Sequence, residues 1–388
     1  MQYAHQFLLR HPQIRLIGFG FLALNFTVAS WLVRIPDLTE RLQLSEGPLG
    51  LLLLGMPIGA FTGSWLAGFT SSRIGLVQGT RLSALGLALV AVLPGLAQVP
   101  WHLFVGLLLM GFMGGYLDVV VNGAAAMLEK KVGYPIMSSC HGMFSLGGFL
   151  GAGLGSLLMA NQFTVIHHLL LASGLLLLGL LFIQRAVPNL TLTTTQEEKS
   201  GFHWPNATVL ILAFMAFLIA QGEGAASDWS SLLFIQKVGL DKATAAWGLG
   251  IFSITMAVLR FLGDGLRQKI DESILLKGGG MIAVVGLALV VFTAQSWSMF
   301  LGLALTGVGY SIFFPLLFTE AAKAQSGNPQ IGVAAISSAG IVGFMMGPPL
   351  MGGIAEWQNL NWAFGATMVL TAVAAGLAWV ISRQGAQP

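Results

Sequence analysis

Near the midpoint of the chain the sequence reads Arg185-Ala186-Val187-Pro188-Asn189-Leu190-Thr191-Leu192-Thr193-Thr194-Thr195-Gln196-Glu197-Glu198-Lys199-Ser200-Gly201-Phe202-His203-Trp204-Pro205. It is the one long polar stretch in a 388-residue chain that is 55% apolar and only 9% charged. It reads as a linker, residues 185–205, between two halves of nearly equal length, 1–184 and 206–388. A soluble domain carries about 25% charged residues, so this composition excludes one. The net charge of +3 does not point to nucleic acid. The basic residues are dispersed in short loops and read as membrane-topology signals. The single cysteine, Cys140, lies in an apolar stretch, permits no internal disulfide and reads as a packing residue.

Outward from the linker, six apolar segments precede it and six follow. A membrane-spanning helix needs about 20 apolar residues. The expected spans are 14–35, 47–70, 78–98, 102–128, 135–159, 163–184, 207–235, 243–264, 276–294, 298–320, 333–355 and 362–382. The first lacks a small-residue cleavage site before polar sequence, so it is expected to remain as a helix and not be removed as a signal. Turn formers separate neighbours, as at Gln98-Val99-Pro100, Gly133-Tyr134-Pro135 and Asn161-Gln162. With a cytoplasmic amino terminus, fourteen of the 18 Lys and Arg fall on the cytoplasmic side. Only Arg34, Arg41, Lys237 and Lys242 fall on the other, a clear positive-inside bias. Both termini and the linker are therefore expected in the cytoplasm of a bacterium, with the chain in its inner membrane. Trp101, Trp204, Trp297, Trp357 and Trp362 fall near span ends, as interfacial anchors do.

The halves repeat each other at an offset of about 196 residues. Gly147-Gly148-Phe149-Leu150-Gly151 answers Gly343-Phe344-Met345-Met346-Gly347. Gly111 to Tyr116 answers Gly307-Val308-Gly309-Tyr310, Ser71-Ser72-Arg73-Ile74-Gly75 falls opposite Arg267-Gln268-Lys269-Ile270-Asp271, and Ala29-Ser30-Trp31 answers Ala226-Ser227-Asp228-Trp229. Parallel repeats of this kind suit a rocking transporter with its site between the halves. Glycines at four-residue spacing in the fifth and eleventh spans are expected to form close contacts across the halves. The fold class is thus all-α integral membrane, with 12 transmembrane helices in two pseudo-symmetric six-helix bundles.

Two six-helix halves, a cytoplasmic central linker and the Arg73-Ile74-Gly75 loop resemble the major facilitator superfamily over almost the whole chain. More narrowly, the chain is similar to a YbjJ-like group of bacterial inner-membrane proteins. That likeness is carried by residues 29–36, 118–122 and 141–147, by Glu223-Gly224-Ala225-Ala226-Ser227-Asp228-Trp229, and by Gly343 to Pro349. The fourth span also resembles, more distantly, that of the fucose–proton symporters. There an acidic residue followed by Asn in a glycine-rich helix serves proton coupling, which implies that role for Asp118. One departure is Ser72, where the superfamily loop often carries Asp; the eighth span keeps Gly263-Asp264. The superfamily default implies a monomer.

Six ionisable residues fall inside or at the edge of these spans: Arg34, Asp118, His141, Glu223, Asp228 and Arg260. A charge in hydrocarbon costs roughly 2.5–3.5 kcal/mol on insertion scales, so such residues mark ion or solute paths. Asp118 is expected to carry the proton. His141, at similar depth on the next helix of a hairpin, is expected to tune it, with packing as the competing role. Glu223 joins this proton-coupling set. Gly222, Gly224 and Ser227 suggest a broken or flexible seventh span. Arg34 and Asp228 are expected to form a gate ion pair on the outer side, with an anionic solute as the alternative partner of Arg34. Asn25, Asn122 and Gln221 fall in helices that line the cavity in the superfamily. With Trp31 and Trp229 as faces for a sugar ring, they are the expected substrate contacts, packing being the competing role for each. Arg260 is read as the structural partner of Asp264, one turn on.

No HExxH, no G-x-S-x-G elbow and no Walker loop occurs, so an enzyme is not expected. No cofactor, metal or nucleic acid is implied. The partners are the bilayer, a proton and a small-molecule substrate. The expected function is proton-coupled secondary transport of a small, sugar-like hydrophilic solute by alternating access. The alternative is a proton-driven efflux antiporter for drugs or metabolites.

Overall fold

The computed structural model describes residues 12–132, 136–186, 204–267, 269–325 and 328–384. Most of the linker expected at 185–205, and the turn Gly133-Tyr134-Pro135, lie outside the described residues. Among the described residues, twelve helical spans are long and apolar enough to cross a membrane: Ile14–Leu32, Glu46–Ile74, Leu76–Leu96, Pro100–Lys131, Met137–Ala160, Val165–Ile183, Ala207–Val238, Lys242–Gly263, Glu272–Phe292, Ser296–Ala324, Pro329–Trp357 and Leu360–Ile381. These are the twelve expected spans. Their ends shift by up to about one helical turn, outward more often than inward. Asn206 accepts from the Val209 amide at the start of the seventh span, and Asp271 from Ser273 at the start of the ninth. Gly75, at φ 81°, supplies the left-handed residue that turns the second span into the third.

The second, third, eighth and tenth spans are locally broken, and proline explains the breaks in the second and the tenth. The second pauses at Leu54, three residues before Pro57, which lacks the N–H that would bond the Leu53 carbonyl. The tenth pauses at Ser311-Ile312, just before Pro315. The break expected at Gly222 and Gly224 is absent: the seventh helix runs unbroken over Ala207–Val238. Gly222 serves close packing instead, since a Cβ there would strike the Tyr310 hydroxyl.

The spans form two bundles with matching contacts. The second packs on the fourth and the first on the fifth; the eighth packs on the tenth and the seventh on the eleventh. A Cβ at Gly147 would hit the Leu22 carbonyl, and one at Gly343 would hit that of Phe217. Both the glycines and their contacts repeat at the offset seen in the sequence. The expectation that the fifth- and eleventh-span glycines meet across the halves holds for some of them, Gly352 among them, and fails for others. Gly147, Gly151 and Gly343 admit the first or seventh span of their own half, while Gly142 and Gly148 approach Phe261 and Ser253 of the other.

We call the face where the first span begins the near face, and the face holding residues 33–45 the far face. At the far face the halves are tied by several polar contacts. Lys242 Nζ donates to Asp37 Oδ1 at 3.1 Å and also pairs with Glu40. Gln236 donates to Glu46 at 2.8 Å, and the Gly47 amide to Glu356 Oε2 at 2.9 Å. Gly50 and Gly352 let the second and eleventh spans touch backbone to backbone beside these bonds.

Candidate functional site

Between the halves lies a cavity of about 360 Å³. Its chemistry begins with the register of the seventh span. Glu223, Gly224, Ser227 and Asp228 all line the cavity. Positions i, i+1, i+4 and i+5 form one stripe on a helix. The opposite stripe, Gln221, Ala225 and Trp229, is fully buried inside the second half. Helical periodicity therefore decides which polar residues of this segment can meet a solute.

That rule sorts the expected substrate contacts. Asn25 and Trp31 line the cavity. The Asn25 amide donates to the Phe144 carbonyl at 3.1 Å. Gln221 points away and donates to Thr367 Oγ1 at 3.2 Å. Trp229 is sealed in the core of the second half and is no cavity wall. Asn122 is not a wall either. Its amide donates to the Asp118 carboxylate at 3.0 Å and to the Asp118 carbonyl at 2.9 Å, so it orients the acid.

Of the expected proton-coupling residues, Asp118 and Glu223 line the cavity and His141 does not. The ring of His141 stands edge-on to Phe21, centroids 5.2 Å apart. The structure forms no hydrogen bond between Asp118 and His141. The fourth span packs chiefly on the second and third, and the fifth on the first and eighth, so the fourth and fifth spans, though consecutive, are not close neighbours.

Arg34 and Asp228 are not brought together. Arg34 is 2% exposed, beyond the end of the first span. Its Nε donates to His168 Nδ1 at 3.0 Å, Nη2 to the Phe163 carbonyl at 3.0 Å, and Nη1 to Asp37 at 3.3 Å. Burial lowers its pKa and Asp37 pulls it back up. Arg34 thus steadies Asp37, which in turn takes Lys242 from the other half. Asp228 has no hydrogen-bonding or ionic partner among the described residues, and its carboxylate faces the cavity.

Arg260 meets both halves. Its Nη1 donates to Ser145 Oγ at 2.9 Å across the halves, and Nη2 lies 3.9 Å from Glu223 Oε1. The side chain of Asp264, the partner expected for it, lies outside the described residues. A cation set against an intramembrane acid is the signal that could have placed it. Lys242, Asp37 and Glu40, which tie the halves together, were also missed. Their signal was topological: Lys242 is one of only four basic residues against the positive-inside bias. Among the described residues no group of His, Cys, Asp and Glu could hold a metal ion.

The cavity can therefore offer two open carboxylates, one acid paired loosely with an arginine, and aromatic walls from Trp31, Phe61, Phe144, Phe252 and Phe344.

Comparison with known proteins gives a consistent picture. The family model described as Major Facilitator Superfamily matches residues 16–327 and 212–387. The chain is 30% identical over 369 residues to an uncharacterized MFS-type transporter of Yersinia pestis, covering 94% of each. It is 29% identical over 358 residues to the membrane protein MosC of Rhizobium meliloti, covering 90% of this chain and 85% of that one. Among solved structures, a variant of the nucleoside transporter NupG superposes with a TM-score of 0.77 at 12% identity, over 95% of this chain and 99% of that chain. The human organic anion transporter MFSD10 superposes with a TM-score of 0.67 at 17% identity, over 95% of this chain and 100% of that chain. At these identities the solved structures speak for the fold alone.

Proposed function

The chain belongs to the major facilitator superfamily, and we propose from that premise that it carries a small polar solute across the bacterial inner membrane by proton-coupled alternating access. It is a transporter, not an enzyme. The observation that carries the coupling is Asp118, an acid in the wall of an inter-half cavity, held by Asn122 with one carboxylate oxygen open. An acid in that position meets solute and proton in one chamber, and its charge changes with the side to which the chamber opens. Glu223 sits in the same wall, beside Arg260. The far-face ties close one end of the cavity. With both termini in the cytoplasm, this is the inward-facing arrangement. Residues 1–184 and 206–388 are the two bodies that rock, joined by 185–205.

The sugar-like form of the solute draws support only from Asn25 and Trp31, because Asn122, Gln221 and Trp229 face elsewhere. The efflux-antiport reading is favoured by one specific feature. Asp118 and Asp228 share a single cavity, so proton and solute can displace each other. The test of coupling is proton flux in liposomes. Asp118→Asn should abolish uphill solute uptake and solute-driven proton movement, yet keep solute exchange at equal concentrations. Full uphill uptake by that variant ends the assignment.

A further inference from the structure

We propose that the solute is a monovalent organic cation: an ammonium group on an apolar ring body that also bears one hydrogen-bond acceptor, with Asp228 holding the charge. This rests on the transport reading above and names the substrate class of the same cavity.

Three independent features point there. First, every ionisable side chain in the cavity wall is acidic: Asp118, Glu223 and Asp228. Asp118 is answered by Asn122 and Glu223 by Arg260, which leaves Asp228 as the acid without a partner. A lone carboxylate in a desolvated cavity is costly unless a cation pairs with it. Second, Trp31 is 1% exposed, lines the cavity, and its indole N–H has no acceptor among the described residues. It offers a ligand a donor and a ring face that attracts a cation. Third, the neutral polar groups of the wall are largely committed. Ser64 donates to the Gly115 carbonyl at 3.1 Å, Ser227 to the Glu223 carbonyl at 2.8 Å, and Ser145 accepts from Arg260 at 2.9 Å. A polyol would find few free donors. An anion would face three carboxylates and no cation that is not already engaged. The volume of about 360 Å³ is at the small end of ligand cavities, so the body is a single ring or a fused pair.

The test uses the purified full chain in lipid nanodiscs and two charge-matched ligand sets, titrated calorimetrically at pH 7. One set is tyramine, tyrosol and 4-hydroxyphenylacetate. The other is serotonin, 5-hydroxytryptophol and 5-hydroxyindole-3-acetate. Each amine should bind at least about tenfold more tightly than its alcohol, and the acids should not bind. Asp228→Asn should bring amine and alcohol to equal affinity without weakening the alcohol. Asp118→Asn should keep the amine preference. Alcohols or acids binding as well as amines, an unchanged preference in Asp228→Asn, or no binding by any of the six overturns the proposal. Those results leave the proton-flux test of Asp118 untouched. Conversely, an amine preference with no loss of coupling in Asp118→Asn would sink only the coupling assignment.

Discussion

At the scale of single residues, the energetics turn on Arg260 and Glu223. Arg260 is 9% exposed and Glu223 13% exposed, and the charged atoms are 3.9 Å apart. Removing one partner of a buried pair strands the other and typically costs about 3–5 kcal/mol. Arg260→Ala should therefore lower the melting temperature clearly, and adding Glu223→Gln should restore most of the loss. Thermal unfolding in detergent checks this; a double variant as unstable as the single one would mean that Ser145, not Glu223, is the partner that matters. The sequence marked both residues as buried charges, but one dimension of text could not pair them, because their contact depends on how two helices face each other. It did isolate the four basic residues on the far side. Each has a committed partner: Arg34 holds Asp37, Arg41 caps Gly95, Lys237 caps Val290 and Val291, and Lys242 crosses to Asp37 and Glu40. A positive charge that resists the topology bias is there for a local reason.

At the scale of elements, the helices were legible because apolar length alone sets them; their ends were less so, because caps such as Asp271 and the turn at Gly75 lie outside the apolar runs that were read. What periodicity promised and was not used in advance is the facing of the seventh span. Glu223, Ser227 and Asp228 point one way and Gln221 and Trp229 the other, as a 3.6-residue repeat requires. The glycines there were read as a break, whereas Gly222 serves clearance. Gly222 sits against Tyr310, whose hydroxyl bonds Thr371 Oγ1 at 2.6 Å. Gly222→Ala should cost about 1–3 kcal/mol by overpacking. Tyr310→Phe in the same chain should recover part of that, because the oxygen is the colliding atom. Chemical denaturation of the two single variants and the double variant gives the coupling; strict additivity would show that Gly222 is needed for something other than this approach.

At the scale of the molecule, alternating access needs a closure that holds at rest and can be released. The far-face ties between Asp37, Glu40 and Lys242 suit that role because they join the halves at the surface, where water can replace them. Lys242 holds the Glu40 carboxyl below its ordinary value of 4.5. A carboxylate lowered in this way supports the closed arrangement in full above its ordinary value. The support is lost as pH falls through the lowered one. Acid on the far side should thus favour opening, and neutral pH closure. Spin labels at Gln43→Cys and Gln358→Cys, both on exposed far-face residues, would report the gap between halves in a Cys140→Ala background. One short distance is expected at pH 7, with a longer population growing below about pH 4.5. Lys242→Ala should show the long population already at pH 7, and Glu40→Gln should blunt the response to acid. A Lys242→Ala chain that stays closed at every pH would place the closure in the backbone contact of Gly50 with Gly352 and not in the charges above it.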